Sequence, residues 1–367
     1  MKATATSAVF LMLLLAVASL KAEQYQVAPE LIDTVDLTEH RRTWGAPDGA
    51  FFILKKSGAE LRQYPDVNVR ALNPRANQKL ISSERGKYYA LLGYASFSPS
   101  DLKIQSITLY GASGEQIWSV KDPGCNSFIL CDGAPVAVGV SGAEGLAESR
   151  LQFYGPTGEL RGSTRVQNFY AGQWCADGEW FFAITGGQLM RFAPNGQDVT
   201  LIGPAAKYFV DARGTAVAAQ TDSLLAFVLP GSTFALPLQI ADLREVRFSA
   251  DGARAVILTR TDLEILDLGT RETVGKLALA NSPFQFFHVD ADANFNFFIC
   301  GVNNSADLPD RRNTAGKVML LNASAVQLWE ETFGYEDWSV RFPDVRLDGE
   351  RRIFSVLTAH DLFIYRY

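Results

Sequence analysis

Residues Asp251-Gly252-Ala253-Arg254-Ala255-Val256-Ile257-Leu258 place a tight polar turn directly before a short, almost continuously apolar run. Asp-Gly suits a hairpin turn, because glycine takes a positive φ without strain and aspartate tolerates it. The run after it does not alternate, so it reads as a strand buried on both faces. The same pairing recurs along the chain. Ala50–Leu54 follows Asp48-Gly49, Tyr88–Leu92 follows Arg85-Gly86, Pro135–Val140 follows Asp132-Gly133, and Trp180–Ile184 follows Asp177-Gly178. Thr215–Ala219 follows Arg213-Gly214, Phe295–Ile299 follows a turn around Asp292, and Ile353–Leu357 follows Asp348-Gly349. The turns are spaced by roughly 35 to 57 residues, the period of a solenoid or propeller repeat.

A second signal follows each run: a strand, a Gly- or Pro-containing turn and another strand. Examples are Ile107–Tyr110 and Gln116–Val120 around Gly111–Gly114, Leu151–Tyr154 before Gly155–Gly158, Leu189–Phe192 before Ala193–Gly196, and Leu224–Leu229 before Pro230-Gly231. Each unit thus carries four strands, and no long helical period appears. The reading is all-β: a single β-propeller of about eight four-stranded blades, with seven as the alternative if the first unit belongs to the closing blade. The chain finishes on Leu362–Tyr367, which reads as a third strand, and Leu31–Leu37 precedes the first unit. This N-terminal strand is expected to complete the last blade and close the ring, removing the free edge of an open array. The repeat length comes to about 42 residues per blade.

Two units carry a fuller motif. Tyr110-Gly-Ala-Ser-Gly-Glu-Gln-Ile-Trp118 resembles the quinoprotein repeat, in which glycine begins a turn and tryptophan docks on the next blade; Leu321-Asn-Ala-Ser-Ala-Val-Gln-Leu-Trp329 is a degenerate copy. The mature chain is similar, at the level of fold, to tryptophan–aspartate-like and quinoprotein-like repeat propellers. It lacks the Trp-Asp and Gly-His signatures, and nothing in it matches quinone or calcium ligands of quinone-dependent dehydrogenases. No cofactor is expected.

Residues 1–22 read as a secretory signal peptide: Lys2, an apolar run at Ala8–Leu15, and small residues at Ala16-Val17-Ala18 and Ala22. The apolar run is too short to span a bilayer, and no second candidate span follows. The expected organisation is a signal peptide at 1–22 and a propeller domain at 23–367, secreted or periplasmic and soluble after cleavage. The net charge is −6, and cleavage removes Lys2 and Lys21 with no acidic residue, which makes the remainder more acidic still. Nucleic acid and anionic lipid attract Lys/Arg clusters, and no basic run here exceeds two residues. Nucleic acid is therefore not an expected partner.

Chemistry-bearing groups are sparse. The histidines His40, His288 and His360 lack metal-ligand spacing, no Gly-x-Ser-x-Gly elbow exists, and no CxxC pair marks a zinc site. Cys125 and Cys131 bracket a strand-like run about 20 Å long, beyond disulfide reach; Cys125, Cys131, Cys175 and Cys300 read as small buried hydrophobes. Asp290-Ala-Asp292-Ala-Asn294 resembles the opening of a calcium loop, but Phe295 and Phe298 occupy its glycine and acidic positions. No catalytic or metal-binding residue is predicted.

Propeller topology puts the turns between strands one and two, and three and four, on one face. Connections between strands two and three, and between blades, lie on the other. The long insertions 94–105, 141–149 and 301–316 all fall between a second and a third strand, hence on that other face, and long loops on a rigid scaffold commonly bind. Exposed aromatics and arginines are typical anchors. The candidate binding residues are Phe97, Phe169, Tyr170, Asp307, Asp310, Arg311, Arg312, Tyr335 and Trp338, with Phe169, Tyr170, Tyr335 and Trp338 placed in inter-blade connections. Asn303 and Asn322 begin Asn-x-Ser sequons, which matter only in a eukaryotic source. The expected role is binding or scaffolding of a protein partner at the cell envelope or surface. The alternative is a hydrolase or lactonase at the central channel, which predicts acidic and histidine side chains converging on the channel mouth.

Overall fold

The computed structural model describes residues 28–36, 40–45, 50–55, 58–64, 68–72, 75, 77–95, 103–142, 148–292, 295–303, 315–334, 344–348, 352–358 and 361–367. The expected signal peptide lies outside them. The described residues form eight four-stranded antiparallel sheets. Taken in chain order these are blade 1 (40–72), blade 2 (78–121), blade 3 (127–166), blade 4 (169–204), blade 5 (207–237), blade 6 (243–278), blade 7 (284–334) and blade 8 (344–366). Blade 8 takes its fourth strand from Glu30–Asp36, which pairs antiparallel with Asp361–Arg366. The closing strand expected at Leu31–Leu37 is therefore present, one residue earlier at each end.

The first strands line the ring's inner side: His40–Gly45, Gln78–Ser82, Ser127–Leu130, Phe169–Trp174, Lys207–Val210, Leu243–Phe248, Phe284–Ala291 and Asp344–Asp348. Neighbouring first strands adjoin from blade 5 through blade 8, and blade 8 meets blade 1. The apolar runs read from sequence are the second strands, and where burial is described they are covered on both faces: Phe181–Thr185 and Val217–Gln220 contain no exposed residue. In blade 3 that strand starts at Ala137, not Pro135, because the Asp132-Gly133 turn extends through Val136.

Each described core layer lies between two blades. Val256, Leu258 and Ile265 of blade 6 pack on Phe286, Val289 and Phe297 of blade 7. Phe298 and Leu320 of blade 7 pack on Val345, Phe354 and Tyr365 of blade 8. Burial of a fully covered Phe or Leu stabilises by about 1.5–3 kcal/mol, so every blade depends on its neighbours, as a repeat array requires. The tryptophan of the fuller motif docks as that resemblance implies. Trp118 ends blade 2, is buried, and donates Nε1–H to the Pro135 carbonyl of blade 3 at 2.8 Å. Its ring lies over Gly158, where φ is +81° and a Cβ would stand 3.2 Å from the indole. Trp329 of blade 7 likewise meets Phe354 and Tyr365 of blade 8, at 5.6 and 5.8 Å between ring centroids.

All four cysteines are buried. Two of them answer to a repeated turn position. Just before each one–two turn a residue pairs its main chain across the turn: Ser83, Cys131, Cys175, Asp211 and Ser249 donate N–H to the carbonyls of Tyr88, Val136, Trp180, Ala216 and Arg254. The side chain there also accepts from the far side of the turn. Ser83 Oγ accepts from Tyr88 N–H, Cys175 Sγ from Trp180 N–H, Asp211 Oδ1 from Ala216 N–H and Ser249 Oγ from Arg254 N–H, at 2.9–3.1 Å. In blade 7 Asp292 Oδ1 accepts from Asn296 N–H at 2.8 Å. A small acceptor satisfies a main-chain donor that the turn would otherwise leave unpaired, and Ser, Cys and Asp all fill that role.

Candidate functional site: the central channel

A cavity of about 580 Å³ opens at the end of the channel where the one–two turns gather. Its lining comes from blades 2 to 7 and includes Glu84, Arg85, Asp132, Gln173, Trp174, Cys175, Asp211, Arg247, Phe248 and Asp292. This is the face opposite the long insertions.

The strongest electrostatics of the described residues lie here. Aligned on their turns, the first strands of blades 6, 7 and 8 put Arg247, Asp290 and Arg346 in one row and set Glu245 beside His288 in the row above. Arg247 binds Glu245 at 2.9 Å and donates Nε–H to the Val289 carbonyl at 3.0 Å. Glu245 meets His288 Nδ1 at 2.9 Å and accepts from Val289 N–H at 2.8 Å. The other imidazole nitrogen of His288 faces the Val345 carbonyl at 3.2 Å. Both ring nitrogens thus face acceptors, an arrangement the doubly protonated ring satisfies. Burial pushes the Glu245 carboxyl up, but Arg247 and His288 outweigh it and hold the group at about 2. Asp290 is also held below the usual carboxylate range: burial raises it, and Arg85, Arg247 and Arg346 more than offset that.

The turn of blade 2 reaches across the ring to this row. Glu84 lies 3.5 Å from Arg247 of blade 6, and Arg85 lies 3.3 Å from Asp290 of blade 7. Asp132 of blade 3 fixes that turn by accepting the Arg85 main-chain N–H at 3.0 Å; its own pKa is raised, chiefly by burial. The convergence of acids and a histidine that a channel hydrolase predicts is therefore present. What these groups hold is one another: the carboxylates of Glu84, Glu245 and Asp290 are ion-paired, and Asp211 and Asp292 are bound to turn N–H groups.

The two aspartates of the calcium-loop resemblance take part in the same set of bonds. Asp290 accepts from Arg85 and from Leu347 N–H, and Asp292 from Asn296 and the Tyr367 hydroxyl. Among the described residues no group of three His, Cys, Asp or Glu side chains could hold a metal ion.

Of the residues proposed from sequence, Phe97, Asp307, Asp310, Arg311, Arg312, Tyr335 and Trp338 lie outside the described residues. Phe169 and Tyr170 belong to the first strand of blade 4, not to an inter-blade connection. Phe169 is buried in the layer between blades 3 and 4, which removes it from the surface its selection assumed. Tyr170 is 63% exposed, because a bulge between Phe169 and Ala171 pushes it out of register.

Sequence reasoning missed Glu84, Arg85, Glu245, Arg247, His288 and Asp290 as a group. The available signal was the alignment of first strands on their turns, which puts like positions side by side.

At the other end of the channel stand residues near the start of the first strands. Lys207 of blade 5 donates from Nζ to the Arg244 carbonyl of blade 6 at 2.6 Å. The Arg244 guanidinium lies 5.3 Å from the centroid of the Phe287 ring of blade 7. Tyr170 occupies the corresponding end of blade 4.

No family model matches the sequence, and no curated protein matches it. Solved structures do. The C-terminal WD40 domain of Sif2 superposes with a TM-score of 0.62 at 10% identity, over 92% of this chain and 98% of that one. Saccharomyces cerevisiae Sqt1 gives 0.58 at 10% identity, over 92% and 99%. The Dos1 propeller gives 0.56 at 8% identity, over 92% and 95%. At such identities the likeness concerns architecture, and with the eight sheets described above it establishes that the chain is a β-propeller of WD40-like fold.

Proposed function

We propose that the protein is an exported binding or scaffolding propeller, engaging a protein partner at the cell envelope or surface through the face that carries the two–three connections. The carrying observation is how unevenly those connections are distributed. Blades 2, 3 and 7 join their second and third strands through 95–103, 142–148 and 304–314, whereas the other five use two or three residues. Insertions confined to one face of a rigid ring fit binding better than folding. Tyr170, the most exposed large hydrophobic residue described, stands at the same face. The WD40-like fold agrees with this role without deciding it. Export rests on the signal-like residues 1–22.

The test is cross-linking and affinity capture with the mature protein, beside a variant whose residues 304–313 are replaced by a Gly/Ser linker. A specific partner taken by the parent and lost by the equally stable variant is the expected result. A partner retained by the variant, or none with either protein, would count against the reading. The hydrolase or lactonase alternative would then be pursued by substrate screens against Glu84→Gln and Asp132→Asn.

A further inference from the structure

Lys207 and Arg244 are two neighbouring cations that take part in no ion pair among the described residues. They sit on adjacent first strands at the loop-bearing end of the channel, with one hydrogen-bonded to the main chain of the other. Among the described residues neither has a carboxylate within ion-pair distance. The nearby acid, Glu245, is already held by Arg247, His288 and Val289 N–H. At the turn end Arg247 and Arg85 each reach an acid within 3.3 Å. The whole chain carries −6, so two neighbouring cations without an acid run against its average. Lys207 is also partly desolvated; burial, with Arg244 adding to it, lowers its pKa despite the attraction of Glu245. A bound anion would relieve both penalties.

The surroundings point to the kind of anion. Phe209 and Phe287 flank the cations, with ring centroids 4.9 Å from Lys207 Nζ and 5.3 Å from the Arg244 guanidinium, and Tyr170 is exposed at the corresponding end of blade 4. The two–three connections of blades 4, 5 and 6 are only 186–187, 221–223 and 260–261, so no long connection of these three blades covers the strand ends. A guanidinium fork matches a carboxylate in two bonds, and an ammonium adds a point charge. Nucleic acid would need several phosphate contacts on an extended basic surface, which an acidic ring with two cations does not offer.

We propose that this end of the channel receives an acidic peptide segment of the protein partner, its carboxylates held by Lys207 and Arg244 and its stem lying against Tyr170 and Phe287. The inference rests on the reading of this face as the binding surface and names the chemistry that the face selects.

The experiment is fluorescence anisotropy of a labelled octaglutamate peptide with the mature chain, at about 50 and about 200 mM salt. Octalysine and a single-stranded oligonucleotide serve as competing probes. Octaglutamate should bind and weaken with salt. Lys207→Met and Arg244→Gln should each reduce affinity about tenfold, Arg244→Lys less, and Tyr170→Ala severalfold, all at unchanged melting temperature. Should the double variant fail to fold, the graded series Gln, Lys, Arg at position 244 carries the same test. No binding by the parent, equal binding by the folded variants, or tighter binding of the oligonucleotide would overturn the proposal. A partner captured through 304–313 and indifferent to Lys207→Met with Arg244→Gln would sink this inference alone. Octaglutamate bound in the predicted pattern, with capture indifferent to the loop, would sink only the loop's part in the reading.

Discussion

The two ends of the central channel use the same residue types in opposite ways. At the turn end, Glu84, Arg85, Glu245, Arg247, His288 and Asp290 neutralise one another across three blades. At the loop end, Lys207 and Arg244 stand together, the one bonded to the main chain of the other, with no acid of the described residues in ion-pair range. A matched buried network rigidifies its surroundings and is costly to break on one side only. An unmatched pair leaves interaction energy unspent in the free protein. The difference separates a part of the ring that maintains shape from one disposed to take a ligand, although the blades around them share one fold.

The sharpest way to break the comparison is Arg247→Leu. It takes the guanidinium from Glu245, leaving that carboxylate only His288 and Val289 N–H, and should cost about 3 kcal/mol in urea unfolding; a loss under about 1 kcal/mol would mean that the turn end is no tighter than a surface cluster. Acid is next. Glu245 is held at about 2 and Asp290 is lowered, so their stabilisation is present above the ordinary carboxylate range and drains as pH falls from about 5 toward 2. For Glu245 the loss should be about 3 kcal/mol, and Glu245→Gln should flatten that limb of the stability–pH curve. Neutralising the spanning turn with Glu84→Gln and Arg85→Gln should cost only about 1 kcal/mol, because these side chains are 43% and 38% exposed. Lys207→Met should change stability least, by about 0.5 kcal/mol or less and toward stabilisation, since it removes a desolvated charge beside another cation. A clear destabilisation there would show that Lys207 is structural, and the contrast between the ends would fail.

Most of the fold was legible because repetition multiplies a weak local signal. One polar turn before an apolar run proves little, but eight in register, with the motifs ending in Trp118 and Trp329, define blades. The closing strand was legible as the strand-like stretch Leu31–Leu37 ahead of the first unit. The channel network was not, because Arg85 and Asp290 are 205 positions apart and no local pattern couples them. Phe169 and Tyr170 were misplaced because a bulge splits adjacent aromatics between core and solvent. Cys131 and Cys175 read correctly as buried, but their role at the turn emerges only when Ser83, Asp211 and Ser249 are found to do the same thing.

The register that pairs Glu30 with Arg366 also sets a timetable. A chain delivered N-terminus first presents Glu30–Asp36 early and must leave it waiting until almost every later residue has emerged. Joining such distant segments carries the largest loop-closure entropy of any pairing in the ring, so the final blade is expected to zip last, on a scaffold whose other layers have already formed. Until then one sheet edge stays open to foreign strands, and the interval between delivery and closure is when the protein is most exposed to aggregation.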